Sequence, residues 1–355
     1  MVYFRLRCSN LIEILFKLLR RKTGFGKLFQ SNIVIQMVVP LLEREKQIGK
    51  SAQLSIGGER SGSQQKKKDL LRRLNSLIND GLYKVQLSSM SLSPPADVDV
   101  TTELLQHVAK EAKEAKDKEY LSCCSSCLIF LLRMMPSSEE LVSLVSTIYE
   151  EVVVSWSTQR KYGASFLQNL VSSMPSLALA SLFNALISAT QNARTNLLKV
   201  EAYRLLTILF ERNKPGAEKS SEIERIAQAK IRETQDDILE KIHDTLLNYK
   251  ATTEKKFAKT AVKELKVIFK AFERFLPLVS APASPEALDS IKAIKSDVSA
   301  LGEIYKGLNL ISVNLVEEAD SRLKTLTTAH VTPTKIKAKT STSGKKSQKK
   351  KKKKR

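Results

Sequence analysis

Between Thr101 and Asn213 apolar residues recur every three to four positions, and the breaks between the periodic runs are very short. That combination leaves little choice of fold. The period makes each run an amphipathic helix, and connections this short lay consecutive helices antiparallel. The runs fall near 101–116, 118–135, 138–155, 159–173, 176–190 and 193–212. Pro136 is placed to end one helix, Ser137 and Glu140 stand at capping-box spacing for the next, and Pro175 separates a later pair. Leu141, Leu144, Val145, Ile148 and Val152, then Phe166, Leu167 and Leu170, form the stripes to be buried. Stacked hairpins of this size read as an all-α, HEAT/armadillo-like helical solenoid. No signature repeats at a fixed period, so a plain helical bundle is the other reading.

The flanking segments keep the helical period. Phe4, Cys8, Leu11, Ile12, Leu15 and Leu19 share one face of a first helix. A second, from about Ser31 to Gln47, carries Pro40, which should kink it. Residues 49–64 are rich in Gly and Ser and read as a linker. Leu70, Leu71, Leu74, Leu77 and Ile78 stripe the next helix, with Gly81 placed as its C-terminal stop, and 82–100 read as a loop broken by Pro94 and Pro95. After a hydrophilic break at 213–221 the helices lengthen. Ile223, Ile226, Ile231, Thr234, Ile238, Ile242 and Leu246 stripe one, and Phe257, Ala261, Leu265, Ile268, Phe272 and Phe275 the next, which Pro277 ends. Ser284-Pro285 reads as an N-cap followed by proline at the first helical position. The last helix ends near Ala329, and from Val331 onward too few apolar residues remain to order the chain. The expected organisation is N-terminal helices over 1–48, a helix with flexible linkers over 49–100, a helical-repeat core over 101–212, long helices over 222–329 and a disordered basic tail over 330–355.

Charge narrows the function. Of 59 Lys and Arg residues, twelve lie between Lys335 and Arg355, where there is no acid. The remaining 334 residues hold 47 basic against 37 acidic residues, so a mildly basic body of +10 ends in a segment of +12. With 42% hydrophobic residues the chain has material for a core, which excludes disorder throughout. The balance suits the partner of a polyanion, not an acidic metabolic enzyme. Of the four cysteines, Cys8, Cys123, Cys124 and Cys127, three crowd one apolar stretch, which argues against a disulfide framework and for a reducing compartment. The longest apolar run, Cys127 to Leu132, is far below the roughly 20 residues that span a bilayer. Arg5, Arg7, Glu13 and Lys17 break any signal-peptide core, and Glu13 with the scarcity of Ser weakens a mitochondrial presequence reading.

Few residue groups could carry chemistry. Cys123-Cys124-Ser-Ser-Cys127 contains a CxxC, but it lies inside an apolar helix, and His107 is the one nearby candidate for a further zinc ligand. The cysteines read as core. His107, His243 and His330 are far apart and read as surface or groove residues. Gly24-Phe-Gly26-Lys27 and the glycines at 57, 58 and 62 do not complete a phosphate loop and read as linkers. Asp97 with Asp99, and Asp236 with Asp237, are the carboxylate pairs to weigh as metal ligands, and helix capping and solvated charge account for them. No catalytic residue, metal site or cofactor is expected, and the chain is read as a non-enzyme.

The basic clusters are the stronger signal. Lys345, Lys346, Lys349, Lys350, Lys351, Lys352, Lys353, Lys354 and Arg355 suit nuclear import and phosphate contact. They include no aromatic residue, so contact with nucleic acid should be blind to sequence. Lys66, Lys67, Lys68, Arg72 and Arg73 form a second cluster, either a solvated face or a phosphate-binding surface.

Three stretches carry a family resemblance. YFRLRCSNLIEILFK followed by IVIQMVVPLLE, the segment IYEEVVVSWSTQRKYGASFLQNLVSSMP continuing to ATQNARTNLLKVEAYRLL, and the lysine-rich end together resemble the C-terminal part of the Myb-binding protein 1A and fungal DNA polymerase V (DNA polymerase phi) family. The resemblance covers most of 3–212, weakens over 213–330 and is tied to no catalytic motif. It implies a nucleolar helical-repeat protein of ribosomal DNA transcription and ribosome biogenesis, corresponding to a fragment of the family's length. The expected partners are DNA or RNA, a nuclear import receptor and proteins docked on the solenoid faces, with no membrane. A transport adaptor binding acidic protein partners is the alternative. A polymerase reading would require Asp97 and Asp99 to act, and nothing around them supports it.

Overall fold

The computed structural model describes residues 2–20, 31–54, 61–85, 98–135, 138–159, 164–213, 221–251, 258–281 and 283–328. Among them the chain is all-α, with no strand. Helix α1 spans Val2–Arg20, and the expected kinked helix is instead two, α2 (Ser31–Gln36) and α3 (Val38–Leu54), broken at Met37. Pro40 is the cause. It lacks an N–H, and its ring crowds the carbonyl four residues back, on Gln36, where α2 ends. Met37 N–H turns instead to the Val34 carbonyl at 3.2 Å.

Two sequence expectations need correction here. The linker placed at 49–64 is shorter, because α3 runs on to Leu54 and α4 (Ser61–Ser76) begins within it. One glycine costs a helix only about 1 kcal/mol, and Gly49 sits among good helix formers. Gly81 is not a stop. The helix passes into a π-turn at Leu77–Gly81 and a 3-10 turn at Leu82–Lys84, with Gly81 at φ −82°. What demands glycine is space, since a Cβ there would lie 2.6 Å from Cδ2 of Phe16, itself fully buried.

The central helices follow the sequence closely: α5 (Val98–Glu114), α6 (Lys118–Met134), α7 (Glu139–Gln159), α8 (Ala164–Ser173), α9 (Pro175–Asn192) and α10 (Asn196–Arg212). Asp117 caps α6 by accepting from the N–H groups of Glu119 at 2.8 Å and Tyr120 at 3.0 Å. Ser138 Oγ accepts from Leu141 N–H at 3.2 Å at the start of α7, and the expected cap Ser137 lies outside the described residues with Pro136. Helix α6 is buried nearly all round and packs against α3, α5 and α8, as a helix without a polar face must. Helix α9 holds the equivalent place among α7, α10 and α11.

The C-terminal part is α11 (Glu222–Ala251), α12 (Ala258–Phe275), a 3-10 turn at Leu276–Leu278, α13 (Pro285–Ile304) and α14 (Asn309–Thr328). The 30 residues of α11 give it a length of about 45 Å. It opens on a reciprocal capping box: Ser221 N–H donates to Glu224 Oε2 at 2.8 Å, and Glu224 N–H to Ser221 Oγ at 3.3 Å. Ser284 caps α13, its Oγ accepting from Ala287 N–H at 3.0 Å, with Pro285 next as expected. Arg322 of α14 reaches back to the end of α12, donating to the carbonyls of Leu276 at 3.1 Å and Val279 at 2.5 Å. Each helix packs chiefly on near neighbours in the chain, α9 on α10, α10 on α12, α11 on α13 and α13 on α14, which is consistent with a helical repeat. A continuous apolar core runs from Phe16 to Leu326. Phe183 meets Phe210 edge to face and Phe210 meets Phe275 at a tilt, with ring centroids 6.0 Å and 5.1 Å apart, tying α9, α10 and α12 together.

Candidate functional site

The second basic cluster lies on α4. The period of 3.6 puts Lys68 with Arg72 on one stripe and Lys66 with Arg73 on another, with Lys67 half-buried between them. The cluster therefore does not converge on one point. Arg73 Nη1 donates to Asn10 Oδ1 of α1 at 2.5 Å, and Arg72 lies 3.5 Å from Asp69. Lys66, Lys68, Arg72 and Arg73 remain exposed. Lys345 to Arg355 lie outside the described residues.

Lys68 looks into a cleft of about 710 Å³ between α3, α4, α5 and α6. Its walls mix signs: Lys46, Lys50 and Lys116 stand among Glu45, Glu111, Glu114, Asp117 and Glu119. Lys46 Nζ donates to both Glu111 oxygens, at 2.8 and 2.6 Å, and Tyr120 Oη donates to Glu111 Oε2 at 2.5 Å. Burial pushes the Glu111 carboxyl up, but these two donors outweigh it and hold the group below its usual range. Glu45 is only 3% exposed, and burial, with Asp117 and Glu119 facing it, pushes its carboxyl up to about 7. The sequence reading missed this network. The available signal was periodic, because Val38, Leu41, Leu42, Glu45 and Ile48 share one stripe and a carboxylate interrupts it.

The three crowded cysteines are free and buried on α6. Asn79 Nδ2 lies 3.7 Å from Cys123 Sγ, and Ser126 Oγ donates to Asn79 Oδ1 at 2.6 Å, which pins α6 to the π-turn after α4. Burial pushes all three thiols above the usual cysteine range, as packed core cysteines require. Among the described residues no group of three His, Cys, Asp or Glu side chains could hold a metal. His107 is exposed on α5, while His243 Nε2 of α11 lies 3.2 Å from Oδ2 of the buried Asp297, an oxygen that accepts no hydrogen bond. Lys250 Nζ donates to the other oxygen of Asp297 at 3.2 Å. His330 and Asp97 lie outside the described residues, and Asp99 sits in the first turn of α5. Asp236 accepts from Ser284 Oγ at 3.1 Å and Asp237 pairs with Lys241 at 3.3 Å.

A second cleft, of about 790 Å³, lies among α9 to α12. Its walls carry Tyr203, bonded to Thr245 Oγ1 at 2.8 Å, and Tyr249, which donates to Glu264 Oε2 at 2.7 Å. Among the described residues no helix is long and apolar enough to cross a membrane.

No protein-family model and no curated protein sequence matches the chain. Among solved structures, a chain described as "Computational Design of Self-Assembling Cyclic Protein Homooligomers" aligns over 84% of this chain and 98% of its own, at 14% identity and a TM-score of 0.24. A superposition that loose carries no argument about fold or function.

Proposed function

We propose that the chain is a non-catalytic nucleolar scaffold, a HEAT/armadillo-like repeat protein that holds nucleic acid electrostatically and protein partners on its helix faces. The observation that carries this reading is the run of twelve cations without an acid from Lys335 to Arg355. Such a run displaces counterions from a phosphate backbone whatever the base sequence. Lysines act there as point charges, and no aromatic residue is present to stack on bases. The exposed cations of α4 add a weaker anchor on the body, and the mixed-sign cleft beside them suits a protein surface carrying both charges. The non-catalytic part of the reading is supported by the carboxylate pair at 236 and 237, where Asp236 is taken up by Ser284 and Asp237 by Lys241. The nucleolar setting, in ribosomal RNA transcription or ribosome assembly, rests on the resemblance to the Myb-binding protein 1A and DNA polymerase phi family.

Pull-down of the full chain at physiological salt tests the reading. Recovery of ribosomal RNA or DNA supports it, whereas recovery of acidic proteins without nucleic acid favours a nuclear transport adaptor that binds acidic protein partners. Localising the tagged chain with and without 335–355 tests the nuclear address.

A further inference from the structure

The first and last helices each leave an apolar stripe exposed. On α1, Leu11 and Ile14 are 67% and 53% exposed, although they stand in the middle of a helix whose other face is core. On α14, Leu310 and Val313 are 75% and 48% exposed. Each stripe is extended by a single charge one turn further on, Arg7 on α1 and Glu317 on α14, both exposed. Helix α1 packs chiefly against α4 and the turn that follows it, and α14 against α12 and α13, so the two stripes belong to opposite ends of the packing order.

The stripes match as an antiparallel pair. Along α1 the positions 7, 11 and 14 are spaced four then three; along α14 the positions 310, 313 and 317 are spaced three then four. Antiparallel docking sets Leu310 against Ile14, Val313 against Leu11 and Glu317 against Arg7, apolar on apolar and acid on base. Symmetric pairings fail the same test. Two α1 helices would set Arg7 against Ile14, and two α14 helices Glu317 against Leu310, leaving a charge facing an apolar side chain in each.

We propose that the occupant of each stripe is a second copy of this chain, docked head to tail through α14 of one copy and α1 of the next. A heterologous contact of this kind propagates into a ring or an open filament. The proposal is independent of the nucleic-acid reading. A contact one helix wide lies at the small end of specific interfaces, so association should depend on protein concentration.

The test uses the nuclease-treated full chain at physiological salt, followed by sedimentation velocity. Wild type should shift from monomer to larger species as concentration rises. Leu11→Glu with Ile14→Glu blocks the head, and Leu310→Glu with Val313→Glu blocks the tail. Each blocked variant alone should stay monomeric with unchanged helicity, and the two mixed should form a 1:1 dimer and nothing larger. In a second series, Arg7→Glu should weaken association about threefold, and adding Glu317→Arg should restore it. A wild type that stays monomeric at its highest soluble concentration overturns the proposal. So does a blocked variant that self-associates alone, a mixture that forms no dimer, or a charge swap that rescues nothing.

Discussion

Ser312 of α14 packs against the bare Cα of Gly302 in α13, so closely that a Cβ on the glycine would lie 2.7 Å from the serine Cβ. The serine hydroxyl is held in place by donating to the Asn309 carbonyl at 2.8 Å, so the neighbour has no easy retreat. Gly302 is helical, and in a free helix alanine there would stabilise by about 1 kcal/mol. In this hairpin overpacking wins. Gly302→Ala should destabilise the chain by about 1–3 kcal/mol in urea unfolding. Gly49, also helical but with nothing within 4 Å of its Cβ position, is the control, and Gly49→Ala should stabilise by about 0.5–1 kcal/mol. Equal effects at the two sites would contradict the packing.

Glu45 predicts a pH dependence of stability. Its folded pKa, about 7, is above that of an unfolded glutamate, so between about pH 4.3 and 7 the folded state binds the extra proton. Stability contributed by the neutral carboxyl is complete below that window and is lost as pH rises through 7. Glu45→Gln keeps the shape and removes the ionisation. It should raise stability at about pH 8 by an amount on the order of 2 kcal/mol, discounted for solvent reaching the cleft, and leave it unchanged near pH 4. A variant less stable than wild type at the higher pH would show that the charge of Glu45 is held by its neighbours Lys46, Lys50 and Lys68.

The cysteines should divide by burial. Cys8 is half-buried on α1, while Cys123, Cys124 and Cys127 are enclosed on α6 with their thiols held protonated. A thiol reagent at neutral pH should modify Cys8 in the native protein and all four cysteines after unfolding. Rapid native modification of the CxxC would contradict its place in the core.

These sites also show what a sequence can carry. Local signals were readable where the answer is local. Ser284-Pro285 caps α13 as its residue types require, and the helices of 101–212 begin and end within a few residues of their periodic runs. The Ser221 and Glu224 box could have been read the same way. The role of Gly81 could not, because it depends on Phe16 from α1. For Glu45 the stripe shows only that a carboxylate is buried, while its raised pKa depends on burial and on Asp117 and Glu119 at the start of α6. Glycine and serine content hides the true extent of α3 and α4, because tertiary packing carries a helix through one poor residue. The basic residues of α4 were visible as a cluster, but their division into two stripes, one tied to Asn10 and one facing a mixed cleft, is a property of the assembled helices.

On the proposed reading the cations of 335–355 hold nucleic acid through its phosphates. The most direct measurement is the affinity of the full chain for a DNA duplex across a salt series, repeated without 335–355 and with a duplex of unrelated sequence. If about six phosphates are engaged, the log–log slope should be roughly −5. The slope should not change with sequence and should flatten on deletion, while helicity stays as it was. An unchanged affinity and slope after deletion would rule out the tail as the binding segment and move the contact to the body, at Lys66 to Arg73.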